Sequence, residues 1–175
     1  MNILKITKAD LNKDNEYIGG AIGEYFNPAD THVEIAANLG YVNFKGIYVK
    51  GYIKAEAGSG IKAGLGITAG EGIKAGLGIK AGWGITAGEG IKAGEGIEAG
   101  DDIFCKLHLS FSYKLFAGTS PWTNNANKTV TCGKLVKGTI AYGDLIETGL
   151  PDEETVEDSI KEIIELNGKK YQLIG

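Results

Sequence analysis

The chain has 175 residues, a formal net charge of −4, and 28 glycines against 3 prolines. This length allows one well-buried domain, and the weak acidic balance gives no bulk attraction to nucleic acid. A glycine content about twice the average of roughly 7%, without matching proline, excludes collagen and argues against a proline-rich disordered chain.

Residues 1–32 precede the periodic part of the chain and are predicted to form an N-terminal cap. They lack the basic and then apolar stretches of a secretory signal, and no apolar run in the chain approaches the roughly 18 residues of a membrane helix. We therefore expect a cytoplasmic protein with no membrane contact.

A six-residue repeat, Gly-Ile-x-Ala-Gly-x, occupies the middle of the chain, and residues 33–145 are predicted to form a β-solenoid. Because side chains alternate along a strand, each isoleucine and the alanine two residues later should face the core, while the residue between them faces water. We expect the flanking glycines to turn the corners with φ values that other residues avoid. The regular isoleucines are Ile61, Ile67, Ile73, Ile79, Ile85, Ile91, Ile97 and Ile103.

The same spacing extends beyond the regular array in both directions. A gap of eight residues before Ile61 predicts a bulge or corner loop at residues 56–59, and residues 119–128 are predicted to form a surface loop. Phe111 and Ala117 should occupy alanine slots. The further predicted core positions are Ile35, Tyr41, Ile47, Ile53, Leu109, Leu115, Val130 and Val136.

An offset of 18 residues aligns like residues and predicts three-sided coils. It places Thr68 beside Thr86 and Glu71 beside Glu89, whereas a twelve-residue coil would place Thr68 beside Lys80. We therefore predict an all-β fold, a single-stranded β-helix of triangular 18-residue coils with small α/β terminal caps. The pattern leaves the handedness of the helix open.

The period, the buried aliphatic residue and the flanking glycines resemble the hexapeptide-repeat β-helix superfamily over roughly residues 33–145. This resemblance implies a trimeric acyltransferase that uses a coenzyme A thioester and a histidine base. The near-perfect Gly-Ile-Lys-Ala-Gly array also resembles repeat proteins from phages and prophages of low-GC bacteria.

Residues 146–175 are predicted to form a C-terminal cap, because a solenoid otherwise exposes an unpaired coil at its end. Residues 151–158 resemble a short acidic helical turn that begins with proline. The dipeptide Asn167-Gly168, flanked by alternating apolar residues, predicts a β-hairpin. A helix over residues 152–166 is the alternative, since the apolar residues there also fit helical spacing.

The residues that could carry chemistry are few. The chain has two histidines, His32 and His108, and neither has a carboxylate at a telling spacing, so we interpret both as surface residues. Cys105 and Cys132 fall in alanine slots, which predicts core packing and not a reactive thiol. We expect no catalytic residue, cofactor or metal.

Two sets of outward side chains are the candidate binding residues. Columns of stacked lysines on two sides of the prism could bind phosphates, and apolar corner residues indicate a contact surface. The predicted lysines are Lys62, Lys80, Lys74 and Lys92, and the predicted apolar contacts are Leu65, Leu77, Trp83 and Trp122.

The sequence thus favours a non-enzymatic binding protein that forms a homo-oligomer, binds a host protein, or does both, and a nucleotide is a further candidate ligand. A phage counter-defence protein, which inhibits or sequesters its target, is the more specific form of this hypothesis. The alternatives are a trimeric acyltransferase and a structural, self-assembling solenoid.

Overall fold

The computed structural model describes residues 2–19, 31–121, 127–151, 163–166 and 169–172, the last two ranges through their backbone alone. The chain winds as a parallel β-solenoid in which each short strand pairs with the strands one coil away. Within the regular array the partners lie 18 residues apart, as Ile73 and Ile91 do. The all-β fold and its triangular coil are therefore confirmed.

The described strands have the following bounds. In chain order they are β1 (Asn2–Ile6), β2 (Thr31–Ile35), β3 (Gly40–Phe44), β4 (Ile47–Val49), β5 (Ile53–Ala55), β6 (Ser59–Ala63), β7 (Ile67–Ala69), β8 (Ile73–Ala75), β9 (Ile79–Ala81), β10 (Ile85–Ala87), β11 (Ile91–Ala93), β12 (Ile97–Ala99), β13 (Ile103–Cys105), β14 (His108–Phe116), β15 (Thr129–Cys132), β16 (Lys134–Tyr142), β17 (Asp144–Glu147), β18 (Ile163–Leu166) and β19 (Lys169–Gln172). A short 3-10 helix spans Lys8–Asp10.

The strands β1 to β17 form the three faces of the solenoid. The first face holds β1, β2, β5, β8 and β11, the second holds β3, β6, β9 and β12, and the third holds β4, β7, β10, β13, β15 and β17. The long strands β14 and β16 bend across the corner between the first two faces and contribute to both.

The interior is filled by the columns that the repeat predicts. Every isoleucine of the regular array is at most 1% exposed, and the alanine two residues later is also buried. Cys105, Cys132, Phe111 and Ala117 are buried in alanine slots, as predicted. The larger Phe111 ring fits because Gly138, in the next coil, has no side chain to overlap it.

Two predicted core positions are wrong because a corner changed length. Tyr41 is half-buried, and Val42 points inward in its place, since the corner that follows it, before Ile47, is one residue shorter than a regular corner. The corner before it is longer than a regular one and passes through positive φ at Asn38 (59°) and Gly40 (68°). Val136 is 57% exposed, and Leu135 instead stacks on a first-face core leucine. A shift of one residue moves a side chain to the opposite face of its strand.

The predicted irregularity at residues 56–59 is confirmed as a turn. The Ser59 N–H donates to the Glu56 carbonyl oxygen at 3.0 Å, and Gly58 has a φ of 74°. The buried Ser59 hydroxyl donates to the Ala36 carbonyl oxygen. The two coils that contain this turn and the earlier corner therefore exceed 18 residues.

The reason predicted for the repeat glycines is wrong. None of the described glycines between residues 60 and 100 has a positive φ; the positive values occur at irregular corners. Most of the repeat glycines are required by close stacking instead. A methyl group at Gly88, for example, would overlap the carbonyl oxygen of Gly70 in the adjacent coil.

At the N-terminal end, β1 pairs in parallel with β2 and adds a strand to the first face. The segment after the 3-10 helix covers the free edge of β3: the Tyr17 N–H donates to the Asn43 carbonyl oxygen, and the Asn43 N–H donates to that of Asn15.

At the C-terminal end, β18 and β19 pair antiparallel with Leu166 opposite Lys169, which is the hairpin that Asn167-Gly168 predicts. The alternative helix is therefore wrong for Ile163–Leu166. The predicted acidic turn lies outside the described residues, apart from its first residue, Pro151.

Candidate functional site

The predicted lysine columns lie on two faces. Lys74 stacks on Lys92 on the first face, and Lys62 stacks on Lys80 on the second; all four are exposed. Lys54 extends the first-face column to three consecutive coils. On the second face a glutamate follows Lys80, so the longer basic row is on the first face.

A trough of about 830 Å³ runs along the first face beside this row. One wall is formed by Lys54, Lys74 and Lys92, and the other by Glu71 and Glu89. The two glutamates are in adjacent coils, because the Glu89 N–H donates to the Glu71 carbonyl oxygen at 3.3 Å. Each precedes the lysine of its own coil by three residues, so the walls run side by side with opposite charge.

The floor of the trough is bare backbone at Gly72 and Gly90. Around the position of a Cβ atom at Gly72, only the Gly90 carbonyl oxygen and the Glu89 carboxylate lie within 4 Å. A Cβ atom at Gly90 would lie 2.8 Å from the His108 carbonyl oxygen, so close stacking requires glycine there. The requirement of the fold for glycine thus creates an open strip between the charged walls.

Tyr52 and His32 close the N-terminal end of the trough. Their rings stack with centroids 4.1 Å apart, and the Tyr52 backbone N–H donates to His32 Nδ1 at 3.1 Å. The Tyr52 hydroxyl donates to Glu34 Oε1 at 2.8 Å, a hydrogen bond that raises the pKa of Tyr52. His108 and Val136 lie at the opposite end.

The second face shows what happens when the tyrosine takes the other direction. Tyr41 lies across Gly60 and Gly78, and its hydroxyl donates to Glu95 Oε2 at 3.1 Å. The Lys80 ammonium is 5.8 Å from the centre of the Tyr41 ring. The Tyr41 side chain covers the glycine strip of the second face, whereas the equivalent strip of the first face stays open. The groove that remains on the second face is about 510 Å³.

The charged side chains also differ in what they contact. Lys80 lies 3.5 Å from Glu98, and Lys54 is paired with Glu56, which raises the pKa of the lysine and lowers that of the glutamate. Within the described part of the chain, neither Lys74 nor Lys92 has an ion-pair partner. These two ammonium groups are therefore available to a ligand.

The predicted apolar contacts that the structure describes lie at two corners of the coil. Leu65 and Trp83 share a corner column, since the Trp83 N–H donates to the Leu65 carbonyl oxygen, and Trp83 is 48% exposed. Leu77 is half-buried at a different corner, and Trp122 lies outside the described residues. Trp83 borders the third face, whose outward central positions are uncharged: Tyr48, Thr68, Thr86, Phe104, Thr131 and Ile146.

The two histidines lie at opposite ends of the trough. Glu71 Oε2 is 3.7 Å from His32 Nδ1, a proximity that sequence spacing did not predict, but this nitrogen accepts the Tyr52 N–H and has no proton to share with the carboxylate. His108 is exposed. No group of three or more His, Cys, Asp or Glu residues in the described ranges could hold a metal ion.

Sequence reasoning missed Tyr52, His32 and the glutamate wall as parts of one site. Their signal lies in the residue that precedes each inward aliphatic residue on the first face. Glycine occupies this position at the floor, whereas His32, Tyr52 and His108 occupy it at the ends.

Comparison with known proteins adds no relative: no family model, curated protein or solved structure matches the chain. No helix among the described residues is long and apolar enough to cross a membrane.

Proposed function

We propose that the protein is a non-enzymatic binding protein and that the first-face trough holds part of its ligand. The observation that carries this proposal is the open glycine floor between two rows of opposite charge, from which Tyr52 is held away. A volume of about 830 Å³ falls within the usual range of ligand sites, roughly 300–1,000 Å³.

The backbone that carries these walls is preorganised. The lysine row stands on strands that ladders fix to the neighbouring coils, and the glutamate row lies at a corner where the Glu89 N–H donates to the Glu71 carbonyl oxygen. Binding would therefore order side chains on a backbone that is already fixed. Lys74 and Lys92 can turn toward a ligand without breaking an ion pair within the described residues.

A counter-defence role is the more specific form of this proposal. In it the trough would hold a segment of a host protein or the phosphates of a signalling nucleotide, and so remove that molecule from use. Acyl transfer stays a prediction from resemblance, and no geometry among the described residues favours it over binding.

The proposal can be tested by NMR titration of the isotope-labelled protein with short charged peptides, mononucleotides, dinucleotides and coenzyme A. We expect at least one class to shift the amide signals of Gly72 and Gly90. The double variant Lys74→Ser/Lys92→Ser should lose this shift, and serine is suitable because Ser110 continues the same column.

Lys62→Ser is the matched control, because Lys62 has the same Gly-Ile-Lys-Ala surroundings on another face. It should bind as the unaltered protein does. Shifts that map away from the trough, or that survive in the double variant, would contradict the proposal. Turnover of a coenzyme A thioester would replace it with the acyltransferase alternative.

A further inference from the structure

The two walls of the trough restrict the chemistry of its ligand. A purely anionic ligand would be attracted by Lys74 and Lys92 but repelled by Glu71 and Glu89 across the same floor. The net charge of −4 adds no attraction for a polyanion such as a nucleic acid. A well-matched ligand has negative groups along one edge and positive groups along the other.

An extended polypeptide can have this arrangement. Successive side chains of a strand project to opposite sides, so acidic residues at alternate positions, with basic residues between them, form two edges of opposite charge.

The dimensions of the floor agree with a short segment. From Tyr52 to His108 the column advances by three coils through Gly72 and Gly90, which at about 4.8 Å for each coil gives about 14 Å. Extended chain rises by about 3.3 Å for each residue, so the open floor holds about four residues. Longer segments would continue over the ends.

We propose that the first-face trough receives an extended polypeptide segment of a partner protein, with acidic side chains toward Lys74 and Lys92 and basic side chains toward Glu71 and Glu89. This inference rests on the proposed function and names its ligand. The carbonyl oxygens of the floor already accept hydrogen bonds from the neighbouring coil, as the Gly90 oxygen does from the Ile73 N–H. Recognition therefore depends on side chains. Binding should therefore weaken as salt rises.

Two labelled peptides of about eight residues and identical composition test the inference by fluorescence polarisation. One alternates Glu and Lys, and the other repeats Glu-Glu-Lys-Lys, which puts both signs on each edge of an extended chain. We expect the alternating peptide to bind at least about tenfold more tightly at low salt.

Charge reversal separates the two walls. Lys74→Glu/Lys92→Glu should weaken the alternating peptide by at least about tenfold, while the control Lys62→Glu leaves its affinity unchanged. Adding Glu71→Lys/Glu89→Lys to the reversed protein exchanges the walls. Binding should return, because the peptide can lie in the opposite direction.

Equal affinity for the two peptides, no response to charge reversal, or no binding of either peptide would each overturn the inference. If neither peptide binds but a nucleotide still shifts Gly72 and Gly90 through the trough lysines, the inference fails and the proposed function stands. If no ligand class depends on those lysines, both fail.

Discussion

The His32 imidazole stacks on the Tyr52 ring and also accepts the Tyr52 backbone N–H, so the two residues are joined at side chain and backbone. A third contact, from the Tyr52 hydroxyl to Glu34, fixes the far end of the ring. Together these contacts hold Tyr52 toward the N-terminal end of the solenoid. On the second face Tyr41 points the other way, over its glycine strip.

The substitution His32→Ala should release Tyr52 and close the trough. Stacking of this kind contributes about 0.5–1.5 kcal/mol and a hydrogen bond about 1 kcal/mol, so we expect lower stability together with a change of ring position. A ring over Gly72 would shift the amide signals of Gly72 and Gly90 in an NMR spectrum and weaken any ligand of the trough.

The control for this experiment is His108→Ala, because His108 lies at the other end of the trough and makes no ring contact among the described residues. Unchanged Gly72 and Gly90 signals in a folded His32→Ala protein would show that His32 does not position Tyr52.

The architecture was predictable because one period serves both strand alternation and coil closure. The identical six-residue repeats place the isoleucines inward. The 18-residue offset aligns Lys74 with Lys92 and Leu65 with Trp83, and the structure has both pairs in adjacent coils. Errors arose where a corner lost one residue, at Tyr41 and Val136, since the period contains no information about corner length.

The trough was not predictable from the same pattern. Glycine at residues 72 and 90 matches glycine on the other faces, and only the direction of a tyrosine one coil earlier decides whether the strip is covered. That direction depends on His32, which is 20 residues from Tyr52 in sequence and becomes its neighbour only when the coil closes.

Gly88→Ala should destabilise the solenoid through steric overlap with the Gly70 carbonyl oxygen. Overpacking of this kind costs about 1–3 kcal/mol, which urea unfolding would report as a lower midpoint. In the same corner series, a Cβ atom at Gly64 would lie 3.5 Å from its nearest neighbour, an ordinary contact. Gly64→Ala should therefore be neutral or stabilising by about 0.4–1 kcal/mol. Equal midpoints for the two variants would contradict the close-stacking explanation.

The two thiols should be inert in the folded protein. Burial raises the pKa of Cys105 to about 12, and burial also raises the pKa of Cys132. At about pH 8, well below the raised value, roughly one Cys105 thiol in ten thousand would be ionised, and the thiolate is the reactive form. Iodoacetamide should leave the native mass unchanged and add two groups after denaturation. Rapid labelling of the native protein would contradict core packing.

The edge of β3 is covered by a turn that depends on Asn15. This residue has a φ of 61°, and its side-chain amide donates to the carbonyl oxygens of Leu39 and Tyr41 at 2.8 Å each. Its own carbonyl oxygen accepts the Asn43 N–H. An uncovered strand edge offers unpaired backbone groups to another chain.

Asn15→Ala should therefore expose this edge. Alanine loses both amide donors and is disfavoured at positive φ by about 1–2 kcal/mol, so the turn should detach before the solenoid unfolds. In size exclusion with light scattering, we expect the mass of the variant to rise with concentration above the mass of the unaltered protein. Lys13→Ala, an exposed change in the same turn, should not alter the mass. If Asn15→Ala keeps the original mass at every concentration, the turn is not what prevents stacking through this edge.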